Sequence, residues 1–150
     1  MIEDRLSKDD CKNGYIIDGF PRNIEQAYEY DKILSNLGYD IGNVILINID
    51  EKTLEKRITG RRLCENCNTI YNINDENSRP AVESVCDNCG GKLYQRSDDN
   101  LEAFKTRYSM YLEKTFPIID HYKKMNVLTE VDGNNTVENI FEEIDEIINK

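Results

Sequence analysis

Apolar positions along the chain follow two alternating rhythms. Residues 15–18, Tyr-Ile-Ile-Asp, make a short apolar run stopped by Gly19 and Pro21, which reads as a strand. Over residues 23–37, Ala27, Tyr30, Ile33, Leu34 and Leu37 recur at helical spacing, with Gly38 as the stop signal. Residues 44–49 are continuous and rich in β-branched side chains, the pattern of a strand buried on both faces. Asp50 is positioned to cap a helix over 51–59 that ends at Gly60. This β-α-β-α order predicts an α/β domain with a parallel sheet. The rhythm stops between residues 63 and 94, where Cys, Asn, Gly and Asp predominate and 72–80 reads as irregular turns. It resumes with Phe104, Tyr108, Tyr111 and Leu112 on one helical face, until Pro117 kinks or ends that helix. Ile118, Ile119, Tyr122 and Met125 continue on a second helical piece, and 127–131 predicts a third strand. The last helix carries Val137, Ile140, Phe141, Ile144, Ile147 and Ile148, with Asn135 and Glu138 at capping-box spacing.

A chain of 150 residues suits one domain carrying an inserted module. Its 29 acidic and 19 basic residues give a formal net charge of −10. A field of that sign repels phosphate, which argues against non-specific nucleic-acid or anionic-membrane partners. The 39% of apolar residues are clustered, so the chain is not of the disordered class. No apolar run reaches the roughly 18–20 residues of a bilayer span. The opening MIEDRLSKDD lacks the layout of a secretory signal, and the expected location is the cytoplasm.

Four of the five cysteines form two knuckles, Cys64-x-x-Cys67 and Cys86-x-x-Cys89, separated by 18 residues. That spacing can bring four thiolates onto one tetrahedral Zn²⁺, and four protein ligands leave a structural rather than a catalytic ion. A redox dithiol or unliganded thiols are the bland alternatives, which two matched knuckles disfavour. Cys11 reads as an ordinary thiol near the end of the first helix. A second motif, Asp18-Gly19-Phe20-Pro21-Arg22, follows the first strand directly. At the carboxyl edge of a parallel sheet, Asp18 suits a hydrated Mg²⁺, Gly19 a close backbone approach and Arg22 a phosphate. A plain strand-to-helix turn is the competing reading. Arg57, Arg61, Arg62, Arg96 and Arg107 are set in an acidic chain, several of them at the two hinges of the insertion. Guanidinium forks bind phosphate with paired donors, and phosphoryl transfer depends on such cations together with exclusion of water. His121 reads as a surface residue.

In combination these motifs, with Gly60-Arg61-Arg62 and Tyr94-Gln95-Arg96-Ser97-Asp98-Asp99-Asn100, resemble adenylate kinase in its long form with a zinc-bearing lid. The resemblance implies an α/β fold, an incomplete P-loop-kinase-type parallel sheet with helices on both faces and an inserted zinc-binding lid. Residues 1–62 would form the first part of the core (strand, AMP-side loop, strand), 63–95 the lid and 96–150 the second part of the core. The implied reaction is reversible phosphoryl transfer, ATP + AMP = 2 ADP, with Mg²⁺ accompanying ATP and structural Zn²⁺ on Cys64, Cys67, Cys86 and Cys89. Gly19, Arg22 and Gln26 would contact AMP. Arg57, Arg61, Ile70, Tyr71 and the backbone near Asn135 would contact ATP. Arg96 and Arg107 would bridge the phosphates on the AMP side and act with Arg61 in catalysis. Asp18 would hold Mg²⁺ through water, and Asp98 and Asp99 would fix the hinge and the arginines. The implied partners are ATP, AMP and ADP, with no nucleic acid and no membrane, in a monomer.

One family element is not found in this sequence. The phosphate-binding G-x-x-x-x-G-K-[ST] loop has no match, since the only Gly-Lys pair, Gly91-Lys92, precedes Leu93. The expectation is therefore that this chain alone is weakly active or inactive, and that apolar strand edges beside the missing first strand favour association. The alternative reading is a non-catalytic zinc-dependent nucleotide- or protein-binding module.

Overall fold

Helix α2, Ile24–Leu37, begins where the Asn23 side chain accepts the Gln26 N–H at 2.8 Å and ends where Gly38 turns left-handed at φ 70°. A side chain at Gly38 would be strained, so the stop is conformational as well as entropic. In the computed structural model, which describes residues 1–149, α2 serves two apolar clusters of one compact unit. Tyr30 and Leu34 pack with Leu6 and Cys11, while Ala27 packs with Ile118 and Tyr122. Leu6 lies on α1 (Ile2–Leu6), and Ile118 and Tyr122 on α5 (Phe116–Lys124). Burying a side chain such as Leu34 contributes about 1.5–3 kcal/mol, and Ala27, Tyr30 and Leu34 share one stripe, so a single face of the helix is held along its length.

The same unit holds most of a two-stranded sheet, β1 (Val44–Asn48) and β5 (Leu128–Asp132). The Val44 N–H donates to Val127 O at 2.9 Å and the Gly133 N–H to Asn48 O at 2.8 Å, an order of partners that makes the strands parallel. The α/β class and parallel pairing agree with the expectation from the sequence.

Several finer expectations are corrected. Residues 15–18 form no strand, because no strand lies beside them among the described residues; Ile16 is 88% exposed while Tyr15 and Ile17 pack on the α2 cluster. β1 is not buried on both faces, and Ile47 is exposed, since a sheet of two strands covers little of either. Cys11 is buried in a separate 3₁₀ turn, Asp9–Asn13, where its sulfur accepts from Arg5 at 3.0 Å. The helix from Leu101 passes through one π-helical turn, Tyr111–Thr115, before Pro117 enters the first turn of α5, where its missing N–H is tolerated. Leu112 is left exposed by that change of winding. The final helix, α6 (Val137–Ile148), is capped by Thr136, which accepts the Asn139 N–H at 3.3 Å; Asn135 and Glu138 form no capping box. Its apolar stripe stays largely uncovered, with Val137 and Phe141 exposed. His121 is half-buried and bonds Asp31 at 2.6 Å, so it is not a plain surface residue.

A second unit comprises residues 48–109 and 132–135. Helix α3 (Glu51–Gly60) starts at Asp50, whose carboxylate accepts the Thr53 N–H at 2.9 Å. It runs into an antiparallel sheet of order β3-β2-β4, with β2 at Arg61–Cys64, β3 at Ile70–Asn72 and β4 at Leu93–Tyr94. The last α3 carbonyls are satisfied without a left-handed cap: Ile58 O and Gly60 O accept the backbone N–H groups of Arg61 and Ile73, and side chains reach the others. Asn72 donates to Arg57 O at 2.9 Å, Asn74 to Lys56 O at 3.0 Å and Gln95 to Thr59 O at 3.1 Å. Helix α4 (Leu101–Met110) begins after Asn100, which accepts the Ala103 N–H at 2.9 Å.

Candidate functional site

The antiparallel sheet of the second unit brings the two cysteine knuckles together. β2 ends in Cys64, and the Val85–Lys92 bridge returns the chain so that Cys86 and Cys89 face it. The four Sγ atoms lie within 4.8 Å of one another, with 3.4 Å between Cys64 and Cys89, 3.6 Å between Cys67 and Cys86, and 3.4 Å between Cys67 and Cys89. A disulfide needs about 2.04 Å. A tetrahedral ion with metal–sulfur bonds of about 2.3 Å needs edges of about 3.8 Å, close to these separations. Four soft donors in a closed set fit a tetrahedral divalent ion and leave it no open position.

Around the sulfurs the backbone and neighbouring side chains supply polar groups. The Asn66 N–H donates to Cys64 at 3.4 Å, and the Thr69 hydroxyl lies 3.0 Å from Cys67. Bonding from the Thr69 side chain and backbone holds the Cys67 thiol down to about 6, whereas the neighbouring Cys64 and Cys67 thiols help push Cys89 up to about 12. Gly91 sits so close that a Cβ there would stand 2.9 Å from the Cys64 sulfur.

The arginines of the second unit are organised by two adjacent carboxylates. Asp99 is fully buried and takes both arms of Arg61, with Nε to Oδ2 at 2.8 Å and the second contact from Nη2 to Oδ1. Asp98 receives Arg96 through Nε at 3.0 Å and Nη2 at 2.9 Å, and Arg107 Nη2 at 2.5 Å on the same Oδ2. Partial desolvation works against the Asp98 charge, but the Arg96 charge, the Asp98 backbone N–H and the Arg107 charge outweigh it. The carboxyl is held below its ordinary range. Asp98 and Arg107 also line an open depression of about 380 Å³ along the start of α4. Arg62 is engaged differently, donating to Thr59 O and Arg61 O at the end of α3.

Gly19, Arg22 and Gln26 belong to the first unit and bond to one another. Arg22 Nε donates to Gly19 O at 2.7 Å, and the Arg22 N–H donates to Gln26 Oε1 at 2.8 Å. Gly19 has φ +73°, and a Cβ on it would come 3.1 Å from Arg22 Nη2, so glycine permits both the turn and the close guanidinium. Asp18 is exposed beside them. In the second unit Arg57 is exposed on α3, Ile70 is 64% exposed on β3, and Asn135 lies in the turn after β5. The Tyr71 side chain instead turns into the cysteine cluster, where it is buried with Cys64, Cys86 and Leu93. Two contacts were not expected from the sequence, one made by Gln95 and one by Tyr71, which the resemblance placed at ATP. Gln95 joins the α3 terminus to Asp99 O, and Tyr71 acts through its hydroxyl; only the alternation Ile70-Tyr71-Asn72 in a strand register with β2 could have signalled the latter.

A family model described as adenylate kinase matches residues 1–127. An adenylate kinase of Thermoanaerobacter sp. (strain X514) is 48% identical over 144 residues, covering 96% of this chain and 65% of the relative. That of Thermosipho africanus is 46% identical over 150 residues, covering 100% of this chain and 69% of the relative. That of Clostridioides difficile is 41% identical over 144 residues, with 96% and 66% covered. The chain thus spans about two thirds of the length of the curated relatives it matches.

Proposed function

The chain belongs to the adenylate kinase family, and we propose that it carries the arginine cluster and metal-bearing lid of an ATP–AMP phosphotransferase. In the transfer, the bond between the γ-phosphorus of ATP and its β-bridging oxygen breaks as an AMP phosphate oxygen attacks that phosphorus. Two molecules of ADP result. Little covalent chemistry falls to the protein; its task is to neutralise charge on the transferring oxygens and keep water away.

The observation that supports this best is the shared carboxylate: Arg96 and Arg107 converge on Asp98 Oδ2 at 2.9 and 2.5 Å. A carboxylate oxygen and a phosphoryl oxygen ask the same of a guanidinium, so this pair of forks suits a bridging phosphate. Asp98 then orders the arginines, and Asp99 orders Arg61. Gly19, Arg22 and Gln26 would hold AMP. Arg57, Arg61, Ile70, the Tyr71 backbone and the turn at Asn135 would hold ATP, with Mg²⁺ reached by Asp18 through water. Cys64, Cys67, Cys86 and Cys89 would hold a structural Zn²⁺ that supplies folding free energy to the lid. Residues 63–95 would move as that lid between the two core parts, 1–62 and 96–150, in a cytoplasmic monomer.

The test is ADP formation from ATP, AMP and Mg²⁺ by this chain, beside a version carrying the family's phosphate-binding loop and first strand. Turnover is expected in the extended version, lost on Arg107→Ala, and weak or undetectable in the chain alone. Comparable turnover by the chain alone would refute the need for the loop, and none by either would refute the phosphotransferase reading.

A further inference from the structure

The hydroxyl of Tyr71 stands between the cysteine cluster and the backbone of the second knuckle. Tyr71 is 8% exposed and Cys86 1% exposed, so water has little access to this contact. The Asp87 N–H donates to the Tyr71 oxygen at 2.8 Å, which makes that oxygen an acceptor there and leaves its one hydrogen to point elsewhere. The Cys86 sulfur lies 3.4 Å from the same oxygen, within the range of hydrogen bonds to sulfur. A metal-bound cysteine is a thiolate with lone pairs and no hydrogen, so in the loaded site only the tyrosine can be the donor.

We propose that Tyr71 is a positioning residue for the metal: it donates its O–H to the Cys86 thiolate while accepting the Asp87 N–H, fixing the second knuckle in ligating geometry. The inference rests on the metal reading of the four cysteines and adds to it a residue that is not a ligand. Strand register explains how Tyr71 reaches the cluster. β3 pairs Tyr71 with Arg62 on β2, and its neighbour Ile70 pairs with Leu63, so alternate residues face opposite ways. Tyr71 thereby points to the cluster and Ile70 to solvent, where it is 64% exposed. The phenol spans from strand to knuckle, bonding both a ligand sulfur and the amide of the very next residue. Outer hydrogen bonds of this kind hold ligands in orientation, and their loss commonly lowers metal affinity about 10–100-fold.

The experiment compares the whole chain with Tyr71→Phe, which keeps the ring and removes only the oxygen. Zinc affinity is measured by competition with a chromophoric chelator, and the site is probed with Co²⁺ through its thiolate-to-metal absorption. The expected result is one ion per chain in both proteins, a 10–100-fold weaker affinity in Tyr71→Phe, and a shifted charge-transfer band. Thermal unfolding with excess chelator isolates ring packing, and there the two proteins should lie much closer than when loaded. Equal affinity and identical cobalt spectra would overturn the role of Tyr71 while leaving the metal reading intact. Failure of the unsubstituted chain to take up one ion would overturn the metal reading and this inference with it. Should Tyr71→Phe not fold, the ¹¹³Cd-loaded unsubstituted chain decides: a slowly exchanging phenolic proton coupled to the metal is expected, and its absence would refute the bond.

Discussion

Replacing Arg61 by methionine asks what a fully buried carboxylate does without its cation. Asp99 has no solvent exposure and both of its oxygens are taken by Arg61, whose own side chain is 30% exposed. The two partners are therefore unequal. Losing the arginine strands a charge in the protein interior, and breaking a buried pair from that side costs about 3–5 kcal/mol. Losing the acid in Asp99→Asn leaves a guanidinium that water reaches, so about 1–3 kcal/mol is expected from the unmade charged hydrogen bonds. For a chain of this length, 1 kcal/mol moves the midpoint by about 2–4 °C, so Arg61→Met should lower Tm by roughly 6–20 °C. The assay is thermal and urea unfolding followed by circular dichroism for both single variants and the double variant. The double variant should lose clearly less than the two singles combined, since each removes the other's unpaired partner. A loss below about 1 kcal/mol in Arg61→Met, or strict additivity, would refute the claim that Arg61 is what makes the buried Asp99 tolerable.

Two further predictions concern the same unit. Gly60→Ala tests a sign: in an ordinary helix interior alanine is better than glycine by roughly 0.5–1 kcal/mol. Here the new Cβ would meet the Asn72 amide oxygen and stand 2.7 Å from Asn74 Nδ2, displacing the side chains that satisfy Arg57 O and Lys56 O. A loss of about 1–3 kcal/mol in urea unfolding is expected, and a gain would show that those asparagines move freely. The second is acid sensitivity. Asp98 is held below its ordinary value of 3.8, so the unfolded chain takes up that proton first as pH falls. The stabilisation is present above 3.8 and is lost as pH drops through the lower folded value. Asp98→Asn should flatten the acid limb of urea midpoints measured from about pH 5 to 2, and an unchanged limb would refute it.

What the sequence determined by itself was the local backbone shape and whatever a specific motif spacing implies. Asn23 and Gly38 bound α2, and Asp50 bounds α3, because capping and left-handed turns are local chemistry. The knuckle spacing 64, 67, 86 and 89 called for convergence, and the four sulfurs do converge. The combination of motifs was enough for the family, which the relatives then showed. Tertiary structure decided which elements cover a segment and which way a side chain faces. Residues 15–18 have strand composition, yet a strand exists only beside another, and none lies beside them among the described residues. β1 has the composition of a fully buried strand, but burial is set by how many strands and helices cover it. Asn135 and Glu138 have the spacing of a capping box, but the chain enters α6 one residue later, and Thr136 takes the role. His121 was featureless by pattern until α2 and α5 packed and brought Asp31 to its ring. Tyr71 likewise has no local signature: its hydroxyl found Cys86 because an antiparallel register with β2 turned that side chain, and not Ile70, toward the sulfurs. Local rules assign a residue its backbone shape, while register and packing assign the direction its side chain faces, and chemistry follows the direction.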